Sequence, residues 1–96
     1  MTLPEDVQTF LEQAFPPGEL GEALLVLGQA RIEDGTVPNP HLLRCAAFAS
    51  GGSLKRLRHL ALLLAVDWRD VIMAGEYELR NKAAVRVRDL SQSLQV

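Results

Sequence analysis

Residues 39–77 read NPHLLRCAAFASGGSLKRLRHLALLLAVDWRDVIMAGEY, and the punctuation of this stretch decides the fold. Asn39 is placed to cap a helix that Pro40 starts, because proline has its φ preset for the first turn and lacks only an N–H that would be unpaired there. Gly51-Gly52 ends that helix. Ser53 caps a second, whose first turns are basic (Lys55, Arg56, Arg58, His59) and whose remainder is apolar. Asp67 caps a third, with Trp68, Val71, Ile72, Gly75 and Leu79 on one face and Glu76–Arg80 at the i, i+4 spacing of an ion pair. Between Leu42 and Ala49 the only charge is Arg44, so the helix from Pro40 is expected at the centre of the domain.

The same signals extend in both directions. Pro4 can open a helix with Glu5 and Asp6 in the turn where the helix dipole favours acids. Leu3, Val7, Phe10, Leu11, Ala14 and Phe15 share its apolar face, and Pro16-Pro17 stops it. The next helix is predicted from Gly18–Leu20 to about Asp34, with Gly35 as its stop. It has two apolar faces: Leu20, Ala23, Leu24, Leu27 and Ala30 on one, and Gly21, Leu25, Gly28 and Ile32 on the other. A helical glycine costs about 1 kcal/mol relative to alanine, so Gly21 and Gly28 imply close approach of a neighbouring helix, in the same chain or in a second subunit. Past Arg80, Ala83, Val87, Leu90 and Leu94 keep helical spacing, so the last helix is expected to continue or restart to about residue 90. Residues 91–96 read as a frayed tail. The one alternating stretch, Val85-Arg86-Val87-Arg88, is only four residues long.

Composition agrees with helices. The 96 residues include 17 Leu and 11 Ala against 13 Val, Ile and Thr together, and the last three are the usual strand formers. The expected fold is all-α, a compact orthogonal bundle of about five helices forming one domain over 1–90. A faint echo at offsets of 36 and 37 (Pro4, Val7, Phe10, Leu11 with Pro40, Leu43, Ala46, Ala47; Leu20, Ala23, Leu24, Leu27 with Leu57, Leu60, Ala61, Leu64) allows two helical hairpins plus a C-terminal helix. At 48% hydrophobic and 23% charged, the chain is too apolar for disorder. The run Leu60–Val66 is far shorter than the roughly 20 residues that span a bilayer. No N-terminal stretch has the pattern of a signal peptide. A cytoplasmic, bacterial-type protein is expected, with Cys45 reduced, and eight Arg to two Lys fit a GC-rich coding bias.

The net charge of −2 hides an asymmetry: residues 1–48 carry seven acids and two bases, residues 49–96 five acids and eight bases. Ala47, Gly51 and Leu57 have the spacing of a helix-turn-helix, with 53–63 as recognition helix and Lys55, Arg56, Arg58 and His59 as its basic patch. Against this, Gly52 stands where that motif wants an apolar residue, and the isoelectric point near 5.6 is low for a nucleic-acid binder. Asp70 and Tyr77, with His59, are a conceivable acid–base set, but Asp67 and Asp70 sit where helix starts want acids anyway. His41, His59 and Cys45 read as spread over different helices, without CxxC, HExxH or His-x-His spacing. Gly51-Gly52-Ser53 is not a phosphate loop. No catalytic residue, metal or cofactor is expected.

The segment DWRDVIMAGEY, following RCAAFASGGSLKRLRHLALLLAVD, resembles a stretch of short uncharacterised bacterial all-helical proteins of this length. The resemblance covers about a third of the chain, Arg44 to Tyr77, and implies a helical domain with no activity attached. The expected function is a non-enzymatic protein–protein interaction module that self-associates, as a homodimer, through Gly21, Leu25, Gly28, Ile32, Trp68 and Tyr77. Trp68 and Tyr77 are the only Trp and Tyr, residue types enriched at interfaces. The rival is a small nucleic-acid-binding regulator using residues 53–63.

Overall fold

The computed structural model describes residues 3–92 and 94. Five helices follow in chain order: α1 (Glu5–Ala14), α2 (Pro17–Gly28), α3 (Pro40–Ser50), α4 (Leu54–Val66) and α5 (Trp68–Glu76). The caps form as their residue types dictate. Asn39 Oδ1 accepts the Leu42 N–H at 2.9 Å, Ser53 Oγ accepts that of Arg56 at 3.2 Å, and Asp67 Oδ1 accepts that of Arg69 at 3.1 Å. Gly51 closes α3 in the left-handed conformation, φ 59°, at no steric cost.

α3 is the central element. It buries Leu42, Leu43, Cys45, Ala46, Ala47 and Ser50 and packs against α1, α4 and α5. α4 buries Leu57, Leu60 and Leu64 and packs against α2, α3 and α5. α5 sits so tightly on α3 that a Cβ on Gly75 would stand 2.8 Å from both Cα and Cβ of Cys45. The close helix approach that glycine permits is therefore made at Gly75. At Gly21 and Gly28 an added Cβ would meet nothing within 4 Å, so no helix of this chain closes on them.

α2 ends six residues before the expected Asp34. Gly28 is its last residue, and the following chain has its own hydrogen bonds: Asp34 Oδ1 accepts from the Thr36 N–H and hydroxyl at 3.0 and 2.7 Å, and Ile32 N–H donates to Thr36 O. Short polar side chains that bind nearby backbone compete with helix.

The larger departure from an all-α bundle lies after Glu76. Where the periodicity predicts more helix, the chain forms an antiparallel hairpin, β1 (Tyr77–Arg80) and β2 (Ala83–Arg86), with Tyr77 opposite Arg86 and Arg80 opposite Ala83. Asn81 and Lys82, at φ 51° and 65°, make a two-residue turn of the type whose twist matches that of the strands. The expected Glu76–Arg80 pair is absent; Arg80 pairs with Glu78 at 3.2 Å while the Glu76 carboxylate points inward. Val85 and Arg86, the start of the alternating stretch, lie in β2, so that short signal marks a true strand.

From Val87 onward the chain crosses back over the helices as a strap. The Val87 and Arg88 N–H groups donate to Glu76 O, Arg44 Nη1 donates to Leu90 O and Ser91 O at 3.5 and 3.1 Å, and Leu94 N–H donates to Asp6 Oδ2 at 2.9 Å. Leu90 and Leu94 are buried in the core. Of the stretch expected to fray, residues 93, 95 and 96 lie outside the described residues.

Candidate functional site

Two helices leave apolar surface uncovered. On α4, Leu62 and Val66 stand one turn apart and are 70% and 71% exposed; on α2, Leu25 is 57% exposed. Between the helices lies an open groove of about 500 Å³, lined on the α2 side by Val26, Gln29 and Ala30 and on the α4 side by Ala61, Leu62 and Ala65. Leu25 precedes Gln29 by one turn and so lies toward the groove edge, with Gly21 and Gly28 beyond it on the outer side of α2. The face exists because α4 is apolar almost all round from Leu60 to Val66 and one bundle can cover only its Leu60–Leu64 side. The Arg58–Glu22 ion pair joins the two helices at the edge of this groove.

The expected interaction residues divide. Leu25 is exposed one turn before the groove residue Gln29, whereas Gly21 and Gly28 lie on the outer side of α2, turned away from Val26 and Ala30. Ile32 and Trp68 line a different crevice of about 260 Å³ with Asn39, His41, Leu42 and Ile72. Tyr77 starts β1 and is partly buried. Sequence periodicity grouped Ile32 with the glycines because it assumed a helix to Asp34; with α2 ended at Gly28, Ile32 packs against the core instead.

The basic start of α4 is likewise divided. Lys55, Arg56 and His59 are exposed and, with Ser53, line a shallow concavity of about 290 Å³. Arg58 turns to α2 and pairs with Glu22, and Arg56 Nε donates to Ala49 O at the end of α3. Among the described residues, Lys55 and His59 make no ion pair.

A third feature is a buried polar hub at the α3–α5 junction. The Glu76 side chain is 2% exposed; Oε2 accepts the Leu90 N–H at 2.7 Å and stands 2.7 Å from His41 Nε2, while Oε1 accepts from Arg86 Nε at 3.1 Å. Burial alone pushes the Glu76 carboxyl up, but the Leu90 amide, His41 and Arg86 together more than reverse this and hold it below the usual carboxylate range. Asp6 has the same balance: burial raises it, and the Leu94 amide with Arg44 (Nε to Oδ2, 2.8 Å) brings it below its ordinary value. Beside the hub, burial pushes the Cys45 thiol up to about 12, with the Glu76 and Asp89 charges adding and Arg86 opposing. A thiol so held is protonated and unreactive at neutral pH.

Sequence reading missed this hub. His41 and Cys45 belong to one helix, four residues apart, and therefore to one face; that spacing was legible once Asn39-Pro40 fixed the start of α3. Their partner Glu76 lies 35 residues from His41, and no local pattern announces it. Asp67, by contrast, does what its position predicts and caps α5, while Asp70 is exposed in the first turn.

Fold and surface together define a small helical domain closed by a C-terminal hairpin and strap, with apolar surface left open on α2 and α4. No helix among the described residues is long and apolar enough to cross a membrane. Comparison with known protein families, with curated proteins and with solved structures gives no match.

Proposed function

We propose that this chain is a non-enzymatic protein–protein interaction module that self-associates through the open face of α2 and α4. The observation that carries this reading is an open apolar groove between α2 and α4, lined by the exposed Leu62, with Leu25 and Val66 exposed on the same two helices. Exposed apolar surface gathered in one place, unlike scattered single residues, marks interaction sites. A second copy is the favoured partner because the halves of the chain carry −5 and +3, which suits head-to-tail pairing. The single buried thiol suits a reducing, cytoplasmic setting.

Sedimentation or light scattering at micromolar concentration tests the proposal. The expected result is a concentration-dependent dimer or larger species that Leu62→Glu with Val66→Glu converts to a folded monomer. A wild-type chain that stays monomeric across that range overturns it. The nucleic-acid reading has weaker support, because Arg58 is spent on Glu22 and Leu60 and Leu64 face the core.

A further inference from the structure

The polar hub has a composition that ion pairing alone does not require. His41, Cys45 and Glu76 offer an imidazole nitrogen, a thiol sulfur and a carboxylate oxygen, all within 4.8 Å of one another. Among the described residues this is the one group of three or more such donors gathered so closely. We propose that His41, Cys45 and Glu76 form a binding site for a single divalent metal ion of the zinc class.

The donor set fits that class. Zinc is bound by thiolate, imidazole and carboxylate at about 2.0–2.3 Å, and three protein ligands with water in the fourth position are a common arrangement. Two of the donors come from successive turns of the central helix and the third from the last residue of α5, so all three stand on the most tightly packed elements of the fold. Rotations that draw the donor atoms about 1 Å closer complete the first sphere. Cys45 and Glu76 are fully buried, whereas the His41 side chain is 28% exposed and lines the crevice beside Trp68, so His41 is the donor that solvent reaches.

Charge also favours a cation here. The buried Glu76 carboxylate has Arg86 among its partners, and that guanidinium is half-exposed and shared with Asp89 (Nη2 to Oδ1, 2.8 Å). A metal ion takes over that neutralising role, and the guanidinium keeps Asp89 as its partner. On coordination the Cys45 S–H gives its proton to solvent as the sulfur–metal bond forms, so binding weakens as pH falls.

Cobalt(II) titration of the whole chain near neutral pH, in a buffer that does not chelate, is the test. The expected result is a thiolate-to-cobalt charge-transfer band that saturates at one ion per chain, is displaced by zinc, and is missing in Cys45→Ser. His41→Gln, at a partly exposed position, is expected to weaken binding at least tenfold and keeps the test alive should Cys45→Ser not fold. Zinc is further expected to raise the melting temperature of the wild type, because it binds only the folded arrangement. No charge-transfer band, a band that survives in Cys45→Ser, or affinity unchanged in His41→Gln overturns the proposal.

Discussion

The α3–α5 junction and the α2–α4 face use the same residue type to opposite ends. At the junction, Gly75 is a glycine because Cys45 leaves no room for a side chain. On the outer side of α2, beyond the edge of that face, Gly21 and Gly28 are glycines with open space around them. The junction also holds the buried Glu76, which ties α5 to α3, to β2 and to the strap, while on the α1 side of α3 Asp6 ties α1 to Arg44 and Leu94. The face has one exposed ion pair, Arg58–Glu22, and uncovered leucines. One region is finished within the chain; the other is left open.

Substitutions can break that contrast. The largest effect is expected from Gly75→Ala, which drives a methyl into the backbone of α3. Neither helix can yield locally, so a loss of about 3 kcal/mol, the upper end for overpacking, is expected in urea unfolding. Glu76→Ala comes next. It leaves His41, Arg86 and the Leu90 amide without their common acceptor; since His41 and Arg86 are partly exposed and regain water, the expected loss is about 2–3 kcal/mol, below the usual figure for breaking a fully buried pair. Loss of hydrogen-exchange protection first at Leu90, ahead of the α3 amides, would show that the strap depends on this carboxylate.

Acid probes the same groups without mutation. Glu76 and Asp6 have folded values held below the ordinary carboxylate range near pH 4, so their contribution is fully present above that range. It disappears as pH falls through the lowered folded values. The urea midpoint is therefore expected to be flat from neutral pH to about pH 5 and to drop below it, and less steeply in Glu76→Gln.

The smallest effects sharpen the other side of the comparison. Gly21→Ala and Gly28→Ala fill open space and remove backbone freedom from the unfolded chain, so each is expected to stabilise by about 0.5–1 kcal/mol. If the face binds a second copy closely, the same changes weaken association. A variant that melts higher yet associates less, seen by calorimetry and sedimentation on one sample, separates the two roles.

How much was legible differs along the chain. Asn39-Pro40, Gly51, Ser53 and Asp67 placed the starts of three helices and the ends of α3 and α4 to within a residue or two, because caps and stops act through the nearest backbone groups; the end of α5 was missed. The hairpin was not legible: Ala83, Val87, Leu90 and Leu94 keep helical spacing by coincidence, and Leu90 and Leu94 are apolar because a strap buries them. The candidate face was half-legible, since Gly21, Leu25 and Gly28 do share a side, while Ile32 and Trp68 belong to a crevice that forms only once α2 stops early.

Sequence by itself determined the helical core, its caps, the burial of α3 and the excess of apolar surface on α4, all of which follow from local propensity and periodicity. Tertiary structure alone decided that Glu76 turns inward, that His41 and Cys45 meet it, that Gly75 rather than Gly21 or Gly28 is the tight glycine, and that the chain after Tyr77 is a hairpin and strap. The physical reason is range. Capping and helical spacing act over four residues or fewer, whereas a buried carboxylate is stable only where partners 10, 14 and 35 residues away in the chain arrive together.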